Sequence, residues 1–249
     1  MYTNNYKYHI LFYFPFILIS SCFSQRDLTK EGVVQLISRD YDNTKRDFII
    51  ESFMPDMNIW FKGDFVIEEI KTIKTTDSNG FRTRQTPVAY YLFIDRKSKA
   101  FYNYSSFSDT AAILDKYIQE DTVEIKGLGG WSFYRSRNLN ITDSLRRLSD
   151  TTINNIVYGR VQLILKSSNR LLTPIAYLRC DKKGTTFLFD KNLSEKLGCP
   201  IVRLHNLPTS KNPKPVSTEI VFVRDSLSKA ELKVFHAWEK NLKKYPVNK

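Results

Sequence analysis

The stretch VAYYLFIDRKSKAFYNY, residues 88–104, decides the fold. Successive side chains on a strand point to opposite faces, so Val88, Tyr90, Leu92 and Ile94 fall on one side and Ala89, Tyr91 and Phe93 on the other. Both sets are apolar or aromatic, whereas a sheet with one wet face alternates apolar and polar residues. EIVFVR, residues 219–224, has the same character, with Ile220 and Phe222 opposite Val221 and Val223. Strands of this kind are predicted to be covered on both sides. Two explanations remain open: a curved sheet covered by a helix and other elements of its own, or a groove that keeps an apolar surface for a lipid-like ligand.

Outward from this stretch the pattern repeats. Short runs rich in Val, Ile, Phe, Tyr and Thr, such as GVVQLISRDY, MNIWFKG, DFVIEEIKTIK and VYGRVQLILKS, are separated by charged or turn-forming clusters, the signature of a meandering antiparallel sheet. Lys62-Gly63-Asp64, Asp77-Ser78-Asn79-Gly80 and Asn154-Asn155 supply residues that tolerate the positive φ of tight hairpins. Helical patterns do not alternate with the strands, so parallel βαβ units are not expected. Two helices are predicted. SDTAAILDKYIQED, residues 108–121, offers Ser108 or Asp109 as N-cap and places Ala112, Leu114, Tyr117 and Ile118 along one side. Residues 228–245 open on the capping box Ser228-x-x-Glu231 and carry the stripe Leu227, Val234, Phe235, Trp238, Leu242 and Tyr245 before Pro246. The fold class is therefore mainly β (α+β): an antiparallel curved sheet or incomplete barrel with one or two packing helices, one of them C-terminal.

The N-terminus reads as an address. One positive charge, Lys7, precedes an apolar run from Ile10 to Ile19 interrupted by Pro15, and small residues follow. A membrane-spanning helix needs about 20 apolar residues, so this shorter run is the plan of a signal peptide. Ile19-Ser20-Ser21-Cys22 resembles the bacterial lipobox, in which the cysteine becomes the lipidated N-terminus; a general signal peptidase would instead cut after Ser24. Either cut exports the chain to the periplasm or outer membrane, lipid-anchored if Cys22 is processed. The expected organisation is a signal peptide over 1–22, with the alternative cut after 24, and a single β-rich domain over 23–249.

Composition agrees with a folded, strand-rich protein: 17 Phe and 14 Tyr stand against 9 Gly and 9 Pro in 249 residues. The net charge of +12 would suit nucleic acid, but export argues against that partner; a basic surface facing anionic lipid head groups or envelope polymers is one reading, and a plain solubilising charge excess, the commonest case, is the other. Once Cys22 is lipidated or removed, Cys180 and Cys199 remain as an even pair in an oxidising compartment, either disulfide-bonded or as two buried thiols.

NIWFKGDFVIEEI, YYLFIDRKSKAFYNYSSFSDTA, GGWSFY and DTTINNIVYGRVQL together resemble secreted proteins of Bacteroidetes-type bacteria with LolA-like half-barrels, including relatives of the GLPGLI family. The resemblance covers roughly residues 33–223 and is one of pattern. The GLPGLI hexapeptide is absent, and the nearest local match, Lys126-Gly-Leu-Gly-Gly130-Trp131, sits elsewhere in the strand order. The resemblance implies an incomplete antiparallel barrel with a helix over its concave side, built in the best-known member to hold acyl chains.

Catalytic chemistry is not evident. Past the signal the chain has only His205 and His236, neither in a triad or metal spacing. Glu68 and Glu69 are adjacent, and adjacent strand residues point to opposite faces, so they do not form a carboxylate pair. No catalytic residue, metal site or cofactor is expected, and the chain is read as a non-enzyme. Two functions stay open: a cell-envelope binding module for an apolar or lipid-like ligand, or an interaction lipoprotein whose barrel is filled by its own side chains. Candidate lining residues are Trp60, Tyr91, Phe93, Tyr102 and Tyr104, each on a predicted strand, with tyrosines pairing an apolar body with a polar tip; simple core packing is the ordinary alternative for each of them.

Overall fold

The computed structural model describes residues 30–42, 44–45, 47–51, 55–78, 81–118, 145–167, 170–172, 174–182, 191–206 and 216–246. The N-terminal address with Cys22, the glycine-rich 126–131 segment and the GGWSFY strand lie outside these residues.

The first eight strands are β1 (Glu31–Asp42), β2 (Asp47–Glu51), β3 (Met57–Lys62), β4 (Phe65–Lys71), β5 (Lys74–Ser78), β6 (Phe81–Gln85), β7 (Val88–Asp95) and β8 (Ala100–Tyr104). They are followed by β9 (Ile113–Ile118), β10 (Leu145–Ile153), β11 (Ile156–Leu163), β12 (Leu165–Ser167), β13 (Arg170–Leu172), β14 (Ile175–Leu178), β15 (Ile201–Asn206) and β16 (Val216–Arg224). Helix α1 (Lys191–Leu197) precedes β15, and helix α2 (Lys229–Lys244) follows β16. Twelve strands form one antiparallel sheet in the order β10-β11-β14-β15-β16-β1-β3-β4-β7-β8-β9, with β2 added against β1. The sheet is curved and does not close into a barrel. β5–β6 and β12–β13 form separate two-stranded ribbons.

The turns follow from their residues. Asn154 and Asn155 both have positive φ, 51° and 61°, as a two-residue primed turn between β10 and β11 requires. Gly63 takes φ +57° between β3 and β4. Gly32 answers a different need: a Cβ there would lie 2.6 Å from the Arg224 carbonyl oxygen and 3.0 Å from the Phe61 ring, so β1 reaches β16 this closely only with glycine.

Strand register builds two faces. One cross-strand row runs Val33, Trp60, Ile67, Phe93, Tyr102 across β1, β3, β4, β7 and β8. α2 packs on this row through Val234, Phe235 and Trp238. The row on the reverse side runs Val34, Ile59, Glu68, Leu92, Asn103, within a second apolar core containing Phe61, Val66, Ile94 and Phe101. Two-sided coverage of β7 holds for Leu92, Phe93 and Ile94, all buried, and ends before Val88 and Ala89, which are exposed. In β16, Ile220 is buried whereas Val223 is 51 % exposed. At the other end of the sheet α1 inserts Leu193 against Val161, Leu163, Ala176, Leu178 and Ile201.

The predicted helix over 108–121 is corrected: residues 113–118 are strand β9, paired antiparallel with β8. The apolar spacing that imitates a helix arises from a register shift between Asn103 and Tyr104, which leaves Leu114 unpaired and 57 % exposed. Beyond it the strand regains its partners, and Tyr117 stacks on its cross-strand neighbour Phe101 with centroids 5.1 Å apart and planes 8° from parallel. The C-terminal helix occupies its predicted place. The Ser228 side chain accepts from the Glu231 N–H, and the Glu231 carboxylate accepts from the Ser228 N–H.

Candidate functional site

The five residues expected to line a groove do come together, but α2 fills the space above them. Trp60 stacks on Phe107 at 4.4 Å and Tyr91 meets the same ring at 5.4 Å. Phe93, fully buried, has the edges of Trp238 and Phe235 at 5.7 and 6.3 Å. Tyr104 lies parallel to Trp238 at 3.8 Å. The polar tips are bonded as well: Trp60 Nε1–H donates to Glu231 Oε1 at 2.8 Å, Tyr102 O–H to the Tyr245 carbonyl at 2.8 Å, and Trp238 Nε1–H to the Ser108 carbonyl at 3.0 Å. Asn241 Nδ2 donates to the Tyr104 hydroxyl at 3.2 Å, and burial pushes that phenol up to about 12. This set is a closed core with satisfied polar groups.

Glu231 is its anchor. Burial alone would raise its pKa, but bonds from Arg224, from Ser228 and from the Trp60 indole outweigh burial and hold the carboxyl at about 2. It is therefore a fixed negative charge in the first turn of α2, where the helix dipole favours one.

The reverse face is chemically different. Glu68 is fully buried, and among the described residues neither of its carboxylate oxygens has a hydrogen-bond partner. Asn103 Oδ1, in the same cross-strand row with Leu92 between, likewise has no partner among the described residues. Burial lifts the Glu68 pKa well above the usual carboxylate range and so favours its neutral form. Glu69 points the other way, as strand geometry requires, and its Oε2 accepts from Asn58 Nδ2 at 3.0 Å and pairs with Lys71 Nζ at 3.1 Å.

A cleft of about 370 Å³ opens where β11, β15 and β16 meet the turn after β14. Its apolar lining is Ile156, Tyr158, Val202 and Phe222. Four cations stand over these aromatic rings and around the opening. The guanidinium carbons of Arg179 and Arg203 each lie 5.7 Å from the Tyr158 ring centre, and Lys182 Nζ is 5.3 Å from that of Phe222. Arg224 completes the set. Each cation has a carboxylate: Arg179 with Asp181 at 2.5 Å, Lys182 with Asp225 at 2.9 Å, Arg203 with Glu219 at 2.5 Å and Arg224 with Glu231 at 2.5 Å. Arg179 and Lys182 flank Cys180, which is disulfide-bonded to Cys199 with Cα atoms 4.7 Å apart. The bond ties the 3-10 turn Cys180–Lys182 to the segment that ends α1.

Sequence reading did not find this cleft, because its residues come from four separate segments. The one local signal is YLRCDKKG, in which two cations bracket a cysteine. His205 is engaged by the Tyr177 hydroxyl at 3.0 Å and by the Phe48 ring at 4.5 Å, and His236 is exposed on α2. Among the described residues no three His, Cys, Asp or Glu side chains are grouped to hold a metal, and no helix is long and apolar enough to cross a membrane. No protein-family model matches the chain, and no curated protein matches it in sequence.

Proposed function

We propose that this chain is an exported, non-enzymatic binding module of the cell envelope for an apolar or lipid-like ligand, and that the ligand lies in the cleft of β11, β15 and β16 rather than beneath α2. The observation that carries this reading is the contrast between two aromatic surfaces. The one under α2 is filled and hydrogen-bonded by the chain itself, whereas a cleft of ligand size stays open at the half-buried Ile156 and Phe222, next to Tyr158 and Val202, which also line it and are buried. The Cys180–Cys199 bond supports an oxidising compartment and hence the export signal around Cys22. The closed α2 core also favours a second reading, an interaction protein with a self-filled sheet.

Native mass spectrometry with lipid extraction, on protein purified from its own envelope, separates the two. A co-purifying apolar ligand that is lost in Phe222→Ala, with the circular-dichroism spectrum and the disulfide retained, is the expected result. Phe93→Asp is the wrong variant for this purpose, because Phe93 is fully buried under α2 and its charge would unfold the core. A protein that carries nothing in either form leaves the interaction reading.

A further inference from the structure

Resting on that reading, we infer that the cleft recognises an anionic group: Arg179 and Lys182 bind a phosphate or carboxylate on an otherwise apolar ligand, displacing Asp181 and Asp225, while the apolar part lies against Ile156 and the half-buried Phe222.

The four ion pairs around the cleft are not equivalent. In two of them the carboxylate is built into the fold. Glu231 is 11 % exposed at its side chain and also bound to Trp60 and the Ser228 N–H, and Glu219 is 20 % exposed beside Arg203 in the β15–β16 ladder. In the other two the carboxylate is mostly exposed. Arg179 and Lys182 are 15 % and 22 % exposed, but their partners Asp181 and Asp225 are 57 % and 56 % exposed. A Lys pair with a solvated carboxylate contributes little, about 0–1 kcal/mol, so Asp225 is replaced by a ligand anion at small cost; Asp181 accepts two bonds from Arg179, at 2.6 and 2.5 Å, and yields only to an anion that takes up both. The cations themselves are fixed, Arg179 over Tyr158 and Lys182 over Phe222, and the disulfide at Cys180 holds both on one turn. A phosphate monoester seated between them, with a charge of about −1.5 to −2 at neutral pH, keeps their charge balanced and gains charge-assisted bonds in a partly desolvated site, whereas a carboxylate offsets only one of them. The chain's net charge of +12 adds attraction at longer range.

Calorimetric titration of the full chain with dodecyl phosphate, dodecyl maltoside and inorganic phosphate tests this. Dodecyl phosphate should bind most tightly, and Arg179→Gln or Lys182→Gln should weaken it about tenfold while leaving the neutral maltoside unaffected. Asp181→Asn and Asp225→Asn, at exposed positions that do not threaten folding, should instead tighten dodecyl phosphate by about threefold. Equal affinity for the maltoside and the phosphate ester would overturn the anion inference but leave the binding module standing. Equal affinity for inorganic phosphate and dodecyl phosphate would overturn the apolar half of the site. If neither amphiphile binds, the cleft itself is wrong. Failure of both aspartate variants to tighten binding would show that the carboxylates are not displaced.

Discussion

Glu68 is a carboxyl group that has no hydrogen-bond partner among the described residues, in the middle of an apolar face, and its chemistry makes stability depend on pH. Its carboxyl starts near 4.5 in the unfolded chain and rises well above that on folding, so its contribution is fully present below about pH 4.5 and is lost as pH rises toward the folded value, by up to about 1.4 kcal/mol per unit. Glu231 acts in the opposite sense. Its folded value of about 2 lies below 4.5, so its contribution, on the order of 3 kcal/mol by linkage, is present above 4.5 and disappears as pH falls through 2. Urea melts of the parent, Glu68→Gln and Glu231→Gln from about pH 2 to about pH 8 should separate the two limbs. Glu68→Gln flattens the decline above about 4.5, and Glu231→Gln flattens the acid side. An unchanged alkaline limb in Glu68→Gln would mean that the buried carboxyl is charged in the fold.

The helices and hairpins show how far local chemistry reads through to structure. Ser228-x-x-Glu231 names the start of α2 from four residues, because the capping box is a local bond pattern, and Asn154-Asn155 names a hairpin for the same reason. β9 could not be read this way. Its identity depends on pairing with β8, and the unpaired Leu114 disguises the period of two as a period nearer that of a helix. The five aromatic candidates were legible as strand residues on shared faces, but their cover was not, since α2 is more than a hundred residues away from Tyr102 in sequence. α2 is expected to be a structural element of the core and not a detachable lid. Trp238→Ala removes the ring stacked on Tyr104 and its bond to Ser108, at a cost of about 3–5 kcal/mol. For a domain of this size that corresponds to a fall in melting temperature of about 10 °C, measurable by circular dichroism. A variant that melts with the parent would place α2 outside the cooperative unit.

At the scale of the whole molecule, one long antiparallel sheet carries two surfaces with different degrees of completion. The α2 surface is finished by the chain's own aromatics, and the cleft beside β16 presents aromatics under cations whose carboxylates are solvent-exposed. The sequence shows the ingredients of both, in paired apolar faces and scattered basic residues, but the β14–β15 and β15–β16 pairings that bring Arg179, Arg203 and Phe222 together are long-range. The most direct test of the account is therefore one of location. The protein is irradiated with a diazirine-bearing alkyl phosphate and the labelled peptides are mapped by mass spectrometry. Labels should fall on the peptides containing Tyr158 and Phe222 and be suppressed by excess dodecyl phosphate; labels on the peptides of Trp60, Phe107 or Trp238, or labelling that excess ligand does not suppress, would contradict a ligand site in the cleft.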